Sequence, residues 1–349
     1  MNKLTKFLFA ISLTAPLLFA CSKGNKGTPG VLLEQHQIEL KPGEDKEIEL
    51  ASGISFGTLK FDSSDKYIAD YSSGKIHGIS EGRAVITVTD TATNIYDICK
   101  VVVRYGPLEP LNALDVPTIA HRGYHVTAVE NTRDAFIEAG RRNFYGIETD
   151  IRLTKDGYWI CNHDASIKGM NKPIAECTLE EIMRIDLSIG NGGIVRVCKF
   201  EEYIEICSIY NKHPIIEFKI SPTKQKLDDV FKVLEKYDVT NEVVFISFNR
   251  DVLNSVDKIK QQKSYKYDIQ LLVNASTWDE VPSSINISCD KQFVTAEMIN
   301  NCKAKGQYVA TWTVDILETA ESLIQMGAKY ITTNIFECDP KYVDNALFD

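Results

Sequence analysis

From residue 117 onward the chain alternates between two textures. Short apolar runs rich in β-branched residues read as strands: TIAH, YGIETDI, PIIEFKI, VVFISF, DIQLLV, INIS, YVATWTV and YITTN. Between them lie runs whose apolar positions recur at three- and four-residue spacing: TRDAFIEAGRRN, FEEYIEICSIYN, KLDDVFKVLEKY, DVLNSVDKIKQQ, TAEMINNCKAKG and LETAESLIQMG. That spacing puts one apolar stripe on a helix. Eight strands alternating with helices over residues 117–349 predict an α/β fold, a parallel (β/α)8 TIM barrel. A doubly wound open sheet is the structural alternative, but no GxGxxG follows the first strand.

Residues 31–104 carry a different pattern. HQIEL, KEIEL, GTLKF and AVITVTD alternate apolar and polar positions, and KPGED, SSDK, SSGK and SEGR separate the runs. Short strands at regular turn spacing predict a small all-β sandwich. YGPLEPLNALDVP, with three prolines, reads as the linker, placed at residues 105–116. Nothing repeats at a solenoid period.

The first residues read as a targeting segment. A basic MNKLTK precedes the apolar FLFAISLTAPLLFA. That stretch is shorter than the roughly 20 residues of a comfortable membrane span. LFAC, ending at Cys21, resembles a bacterial lipobox. The resemblance implies a signal peptide over residues 1–20 and a lipid on the Cys21 thiol, with CSKGNKGTPG (21–30) as a flexible tether. A plain secretory leader, with Cys21 an incidental thiol, is the alternative. A lipid anchor places the chain on a bacterial envelope membrane. Ser22 and Lys23 after Cys21, with no acidic run, favour the outer membrane facing the periplasm.

The other eight cysteines form no CxxC, and several sit in apolar runs, where a thiol behaves as a small hydrophobe. They read as unpaired core residues. The net charge of −9 and the absence of a Lys/Arg run argue against a nucleic-acid partner.

In a barrel, chemistry gathers at the C-terminal ends of the strands. The first strand ends in His121–Arg122–Gly123. The second carries Glu148, Asp150 and Arg152 on one face, because strand side chains alternate. The apolar run after the Asp156–Gly157 turn stops at His163–Asp164, and PIIEFKI presents Glu217 and Lys219. Carboxylates converging from two strands cannot all ionise without a cation. An oxygen-only set favours a hard ion, Ca²⁺ or Mg²⁺, on Glu148, Asp150 and Glu217. A salt-bridge network with Arg122, Arg152 and Lys219 would neutralise them without metal, and spacing alone leaves both open. His121 and His163 can supply one general base and one general acid. Arg122 and Lys219 offer donors to a phosphate-like anion. Together these groups describe phosphodiester cleavage.

IAHRGYHVTAVENTRDAFIEAG, IETDIRLTKDGYWICNHD, IIEFK, ISF, TWTV and ITTN resemble the glycerophosphodiester phosphodiesterases over about residues 117–340. The resemblance implies hydrolysis of a glycerophosphodiester to sn-glycerol 3-phosphate and an alcohol. It implies His121 and His163 as the acid/base pair, Glu148, Asp150 and Glu217 as ligands of a divalent cation, and Arg122 and Lys219 as phosphate contacts. It places Trp312 beside the head group and Glu130–Asn131 at the edge of the site. The chain departs from the family's usual pattern at Thr333–Asn334, where Thr-Asp is common, and in ASIKGMNKPIAECTLEEI after His163–Asp164. Both departures bear on the head group. Residues 31–104 are similar to bacterial immunoglobulin-like (Big) domains, which implies a spacer or adhesion module. Two rival functions remain: a phospholipase-like enzyme acting on lysophospholipid or phosphoinositide, and an inert envelope-anchored binding protein.

Overall fold

The computed structural model describes residues 27–52, 57–106, 112–188, 193–275 and 280–343. The segment read as a leader, Cys21 and part of the segment read as a linker lie outside these residues.

Eight parallel strands close a barrel: β1 (Thr118–Ala120), β2 (Gly146–Leu153), β3 (His213–Phe218), β4 (Val244–Ser247), β5 (Asp268–Val273), β6 (Asn286–Asp290), β7 (Val309–Trp312) and β8 (Ile331–Thr333). Closure runs through β8 and β1, with Thr333 opposite Ala120, and through β1 and β2, with Gly146 opposite Ile119. Six helices of eight or more residues flank the described strands: α1 (Arg133–Gly140), α2 (Phe200–Ile209), α3 (Lys224–Lys236), α4 (Arg250–Lys263), α5 (Ala296–Ala304) and α6 (Leu317–Met326). All eight strands and six helices fall on the runs predicted from the pattern. Between β5 and β6 the described residues hold no helix.

Local chemistry sets the helix ends. The side chains of Thr223, Asn249 and Thr295 accept from the backbone N–H groups of Lys226, Asp251 and Met298, satisfying donors that a helix start leaves unpaired. Gly327 closes α6 in the left-handed region.

Side-chain alternation on β2 separates two environments. Ile147 and Ile151 join the layer between sheet and helices with Phe136, Phe144, Tyr203 and Ile216. Glu148 and Asp150, on the other face, point into the barrel. There Ile119, Ile215, Val244, Ile246 and Leu272 form a small apolar plug beneath them. β2 then runs beyond the barrel, turns at Asp156–Gly157 and pairs antiparallel with Trp159–Cys161. This hairpin delivers His163 to the mouth.

The described residues of 27–103 form strands and no helix, in a five-stranded and a three-stranded sheet over a separate core that includes Ile38, Leu40, Ala69, Ile76, Ile86 and Val101. Its longest pairing joins Gly82–Asp90 to Ile95–Val103. The second of these strands was not legible as an alternating run, because Asp97 is buried where an apolar residue is expected. Its carboxylate accepts from the backbone of Leu32 and Leu33.

The two-sheet region meets the barrel at the N-terminal ends of the strands, opposite the mouth. Glu81 pairs with Arg141 and accepts from Tyr210 Oη at 2.7 Å, and Arg141 lies over the Tyr105 ring. All eight described cysteines are free and buried. No helix among the described residues is long and apolar enough to cross a membrane.

Candidate active site

The turn after β1 is built under strain. Arg122 has φ 55° and Gly123 φ 79°. A Cβ at Gly123 would stand 2.7 Å from the Ala135 carbonyl carbon, so the turn packs onto the start of α1 as only glycine permits. A left-handed arginine persists where neighbours over-determine it. Here the Arg122 N–H donates to Glu148 Oε2 at 2.8 Å, and its carbonyl accepts from the Asn131 N–H. The strained turn thus sets His121 and Arg122 against the carboxylates of β2.

Register does the rest. Asp150 lies opposite Glu217 across β2 and β3, with Glu148 one pleat lower opposite Ile215. Glu148, Asp150 and Glu217 each present an oxygen within 4.8 Å of the other two, and all three are buried. Cations reach two of the three. Lys219 Nζ lies 2.8 Å from Glu217 and 3.5 Å from Asp150, and Arg122 Nε lies 3.4 Å from Asp150. Asn131 Nδ2 donates to Asp150 at 3.0 Å. Glu148 pairs with no lysine or arginine among the described residues.

Burial pushes the Glu148 carboxyl well above the usual carboxylate range, and Asp150 and Glu217 push the same way. Glu217 is raised to about 7, by burial first and then by Asp150, against the pull of Lys219. The salt-bridge network expected as an alternative to metal therefore exists only in part, and Arg152 does not join it. Its guanidinium donates twice to the His163 carbonyl instead, at 2.9 and 2.6 Å. The acidic set is short of positive charge, all oxygen and buried, and so fits a hard divalent cation.

His121 is half-buried. Its Nδ1 lies 2.9 Å from Asn334 Oδ1, and its pKa is lowered to about 4 by burial first and the Arg122 charge second. His163 is half-exposed, with Nδ1 2.8 Å from Asp164 Oδ1, and that bond holds the Asp164 carboxyl below its ordinary value. Arg122 Nη1 also donates to Glu130 at 2.8 Å. Trp312 ends β7; its indole N–H donates to the Ser288 carbonyl, and its ring meets Phe248 edge-on at 5.9 Å. The ring is thus left to offer surface rather than a hydrogen bond. Every residue read from the barrel sequence as a site residue stands at this mouth.

Sequence reasoning missed other groups here. His125 Nε2 also contacts Asn334 Oδ1 at 2.9 Å, and Asp315 holds Asn334. Their roles depend on contacts between β1, β7 and β8 that spacing does not reveal. A further feature is apolar. The large exposed apolar side chains of the described barrel residues are Val126, Tyr158, Ile194, Phe248, Ile316 and Leu317. All lie in the segments that lead from the C-terminal ends of β1, β2, β4 and β7 to α1, α2, α4 and α6, or in the first turn of α6.

Comparison with known proteins agrees with this geometry. A family model described as "Glycerophosphoryl diester phosphodiesterase family" matches residues 121–337. A glycerophosphodiester phosphodiesterase of Caldanaerobacter subterraneus is 28% identical over 250 residues, covering 66% of this chain and 96% of its own. The crystal structure of a glycerophosphodiester phosphodiesterase from Parabacteroides distasonis superposes with TM-score 0.53 at 25% identity, over 64% of this chain and 94% of that one. An Oleispira antarctica phosphodiesterase, solved with the product sn-glycerol-3-phosphate, shares the fold at TM-score 0.53 and 20% identity, over 62% and 92% of the two chains. The chain belongs to the glycerophosphoryl diester phosphodiesterase family and is a glycerophosphodiester phosphodiesterase.

Proposed function

We propose that the chain hydrolyses glycerophosphodiesters to sn-glycerol 3-phosphate and an alcohol with the help of a divalent cation, Ca²⁺ or Mg²⁺. The observation that carries this reading is the buried acidic trio with too few cations, set beside two histidines. Glu148, Asp150 and Glu217 would hold the ion. Bound there, it would supply Lewis-acid stabilisation of charge on the phosphoryl oxygens. Arg122, whose Nε makes no hydrogen bond, and Lys219 bind the phosphate. His121, half-buried and kept neutral, takes the proton of the attacking hydroxyl. His163, at the open edge, returns a proton to the leaving oxygen. Trp312 walls the head group. Residues 31–104 act as an immunoglobulin-like spacer, and a lipid on Cys21 ties the enzyme to the envelope, at the outer membrane facing the periplasm.

The test is release of glycerol 3-phosphate from glycerophosphocholine and glycerophosphoethanolamine by the chain from residue 22, with Ca²⁺, with Mg²⁺ and with EDTA. Release that EDTA abolishes is expected, along with a loss of about 10²–10⁴-fold in His163→Ala. No release with either ion, or full activity in EDTA, contradicts the reading.

One observation favours a second substrate form, a lysophospholipid. Its single acyl chain would lie on the exposed apolar rim of Phe248, Ile316 and Leu317. In that case Phe248→Ser lowers kcat/KM for lysophosphatidylcholine by about tenfold, the worth of one buried apolar side chain, and leaves glycerophosphocholine unchanged. Equal effects on both substrates exclude the acyl contact.

A further inference from the structure

Asp315, just beyond β7, accepts three hydrogen bonds from the end of β8. Its Oδ1 takes the Thr333 hydroxyl at 3.0 Å and the Asn334 backbone N–H at 2.8 Å, and its Oδ2 takes Asn334 Nδ2 at 2.6 Å. A carboxylate in this role only accepts. The Asn334 amide is therefore fixed with its N–H₂ toward Asp315 and its carbonyl oxygen toward the histidines. That oxygen lies 2.9 Å from His121 Nδ1 and 2.9 Å from His125 Nε2. An amide oxygen has no proton to give, so each ring nitrogen facing it must carry one. For His121 this leaves Nε2 bare.

We propose that Asn334, locked by Asp315, is a positioning residue that holds His121 as its Nδ1–H tautomer and so presents Nε2 as the proton acceptor. The inference rests on the phosphodiesterase reading for its functional meaning, not for its geometry. In the sequence Thr333–Asn334 reads as bearing on the head group; the structure instead sets Asn334 against His121. An amide orients the imidazole without adding charge to it. The charged and titratable groups facing His121 are Arg122 on its own turn, His125 on the following loop and Asp150 from β2, with Asp315 behind the amide. An aspartate at position 334 would add a carboxylate against the ring and favour the imidazolium, a form with no lone pair for a base.

The first experiment reads the tautomer in the resting full chain by ¹⁵N–¹H correlation of labelled histidine, with the His121 signals assigned from their loss in His121→Gln. It needs no turnover, so it can succeed or fail independently of the phosphodiesterase reading. A protonated Nδ1 and bare Nε2 are expected at neutral pH; a protonated Nε2 overturns the proposal. Two variants then separate positioning from structure. Asn334→Leu removes the acceptor; the Nδ1–H tautomer is lost, and kcat falls about 10²-fold with KM within about twofold, as when a catalytic imidazole loses its orienting partner. Asn334→Asp keeps an acceptor; the tautomer is retained, kcat stays within about tenfold of the original, and the acid limb of the rate profile moves to higher pH. Asn334→Leu with an unchanged tautomer and unchanged kcat overturns the proposal. So does an Asn334→Asp profile identical to that of the parent.

Discussion

The two ends of the barrel treat buried acid in opposite ways. At the end that carries the two-sheet region, Glu81 is gripped by Arg141 and Tyr210. Burial alone would raise its carboxyl, yet those bonds hold it below the ordinary value. Glu337, fully buried nearby, accepts from Arg142 at 3.2 Å and from the Asn143 backbone at 3.0 Å. At the mouth, Glu148 is just as buried but has one backbone N–H and no side-chain cation, and its carboxyl is raised instead. One chain thus builds fully partnered acids where they join elements and an under-partnered one at the proposed site. A deficit of positive charge, rather than the presence of acid, marks the functional end.

The comparison breaks most sharply under substitution. Glu148→Gln removes a carboxyl whose ionisation the fold does not compensate, so the metal-free protein should hold or gain thermal stability. Activity should fall by about 10³-fold or more, the loss expected when several kcal/mol of metal-assisted stabilisation go. Thermal melts and initial rates on the same sample check both halves; an inactive but destabilised variant would make Glu148 structural. Glu81→Ala should do the reverse. It leaves Arg141 half-buried with only Glu138 among the described residues, 3.6 Å away, as a carboxylate partner, costing about 1 kcal/mol in a denaturant titration, while kcat/KM stays within about twofold. Loss of activity without loss of stability there would couple the two ends and end the contrast.

Much of this was legible in the residues. The eight barrel strands and six helices announce themselves because the parallel strands are nearly continuous apolar runs and the helices carry an apolar stripe. Glu148, Asp150 and Glu217 stand out because charge inside such runs is costly. What stayed hidden depends on tertiary register. The link from Asp315 through Asn334 to His121 joins three strand ends, and nothing in the spacing of those residues reveals it. Arg152 looked like a partner for the carboxylates, but the hairpin after β2 brings the His163 carbonyl within its reach, and the guanidinium turns there. Strand Ile95–Val103 was masked by the inward Asp97. The apolar rim depends on exposure, which a sequence does not print. The pairing of Glu81 with Arg141 depends on how two regions meet.

The most direct test of the central claim is ion-dependent stability. Chelator-stripped protein would be melted with and without Ca²⁺ or Mg²⁺ at about pH 6 and about pH 8. In the metal-free fold Glu217 titrates near 7 and Glu148 is also raised, whereas the unfolded chain releases these protons near 4.5. The folded state binds more protons in that window, so metal-free stability falls as pH rises through it. Ion binding displaces the same protons and gains strength with pH. The account predicts a rise in Tm on adding ion, larger at about pH 8 than at about pH 6, and absent in Glu148→Gln. No ion-dependent rise at either pH, or an undiminished rise in Glu148→Gln, would contradict it.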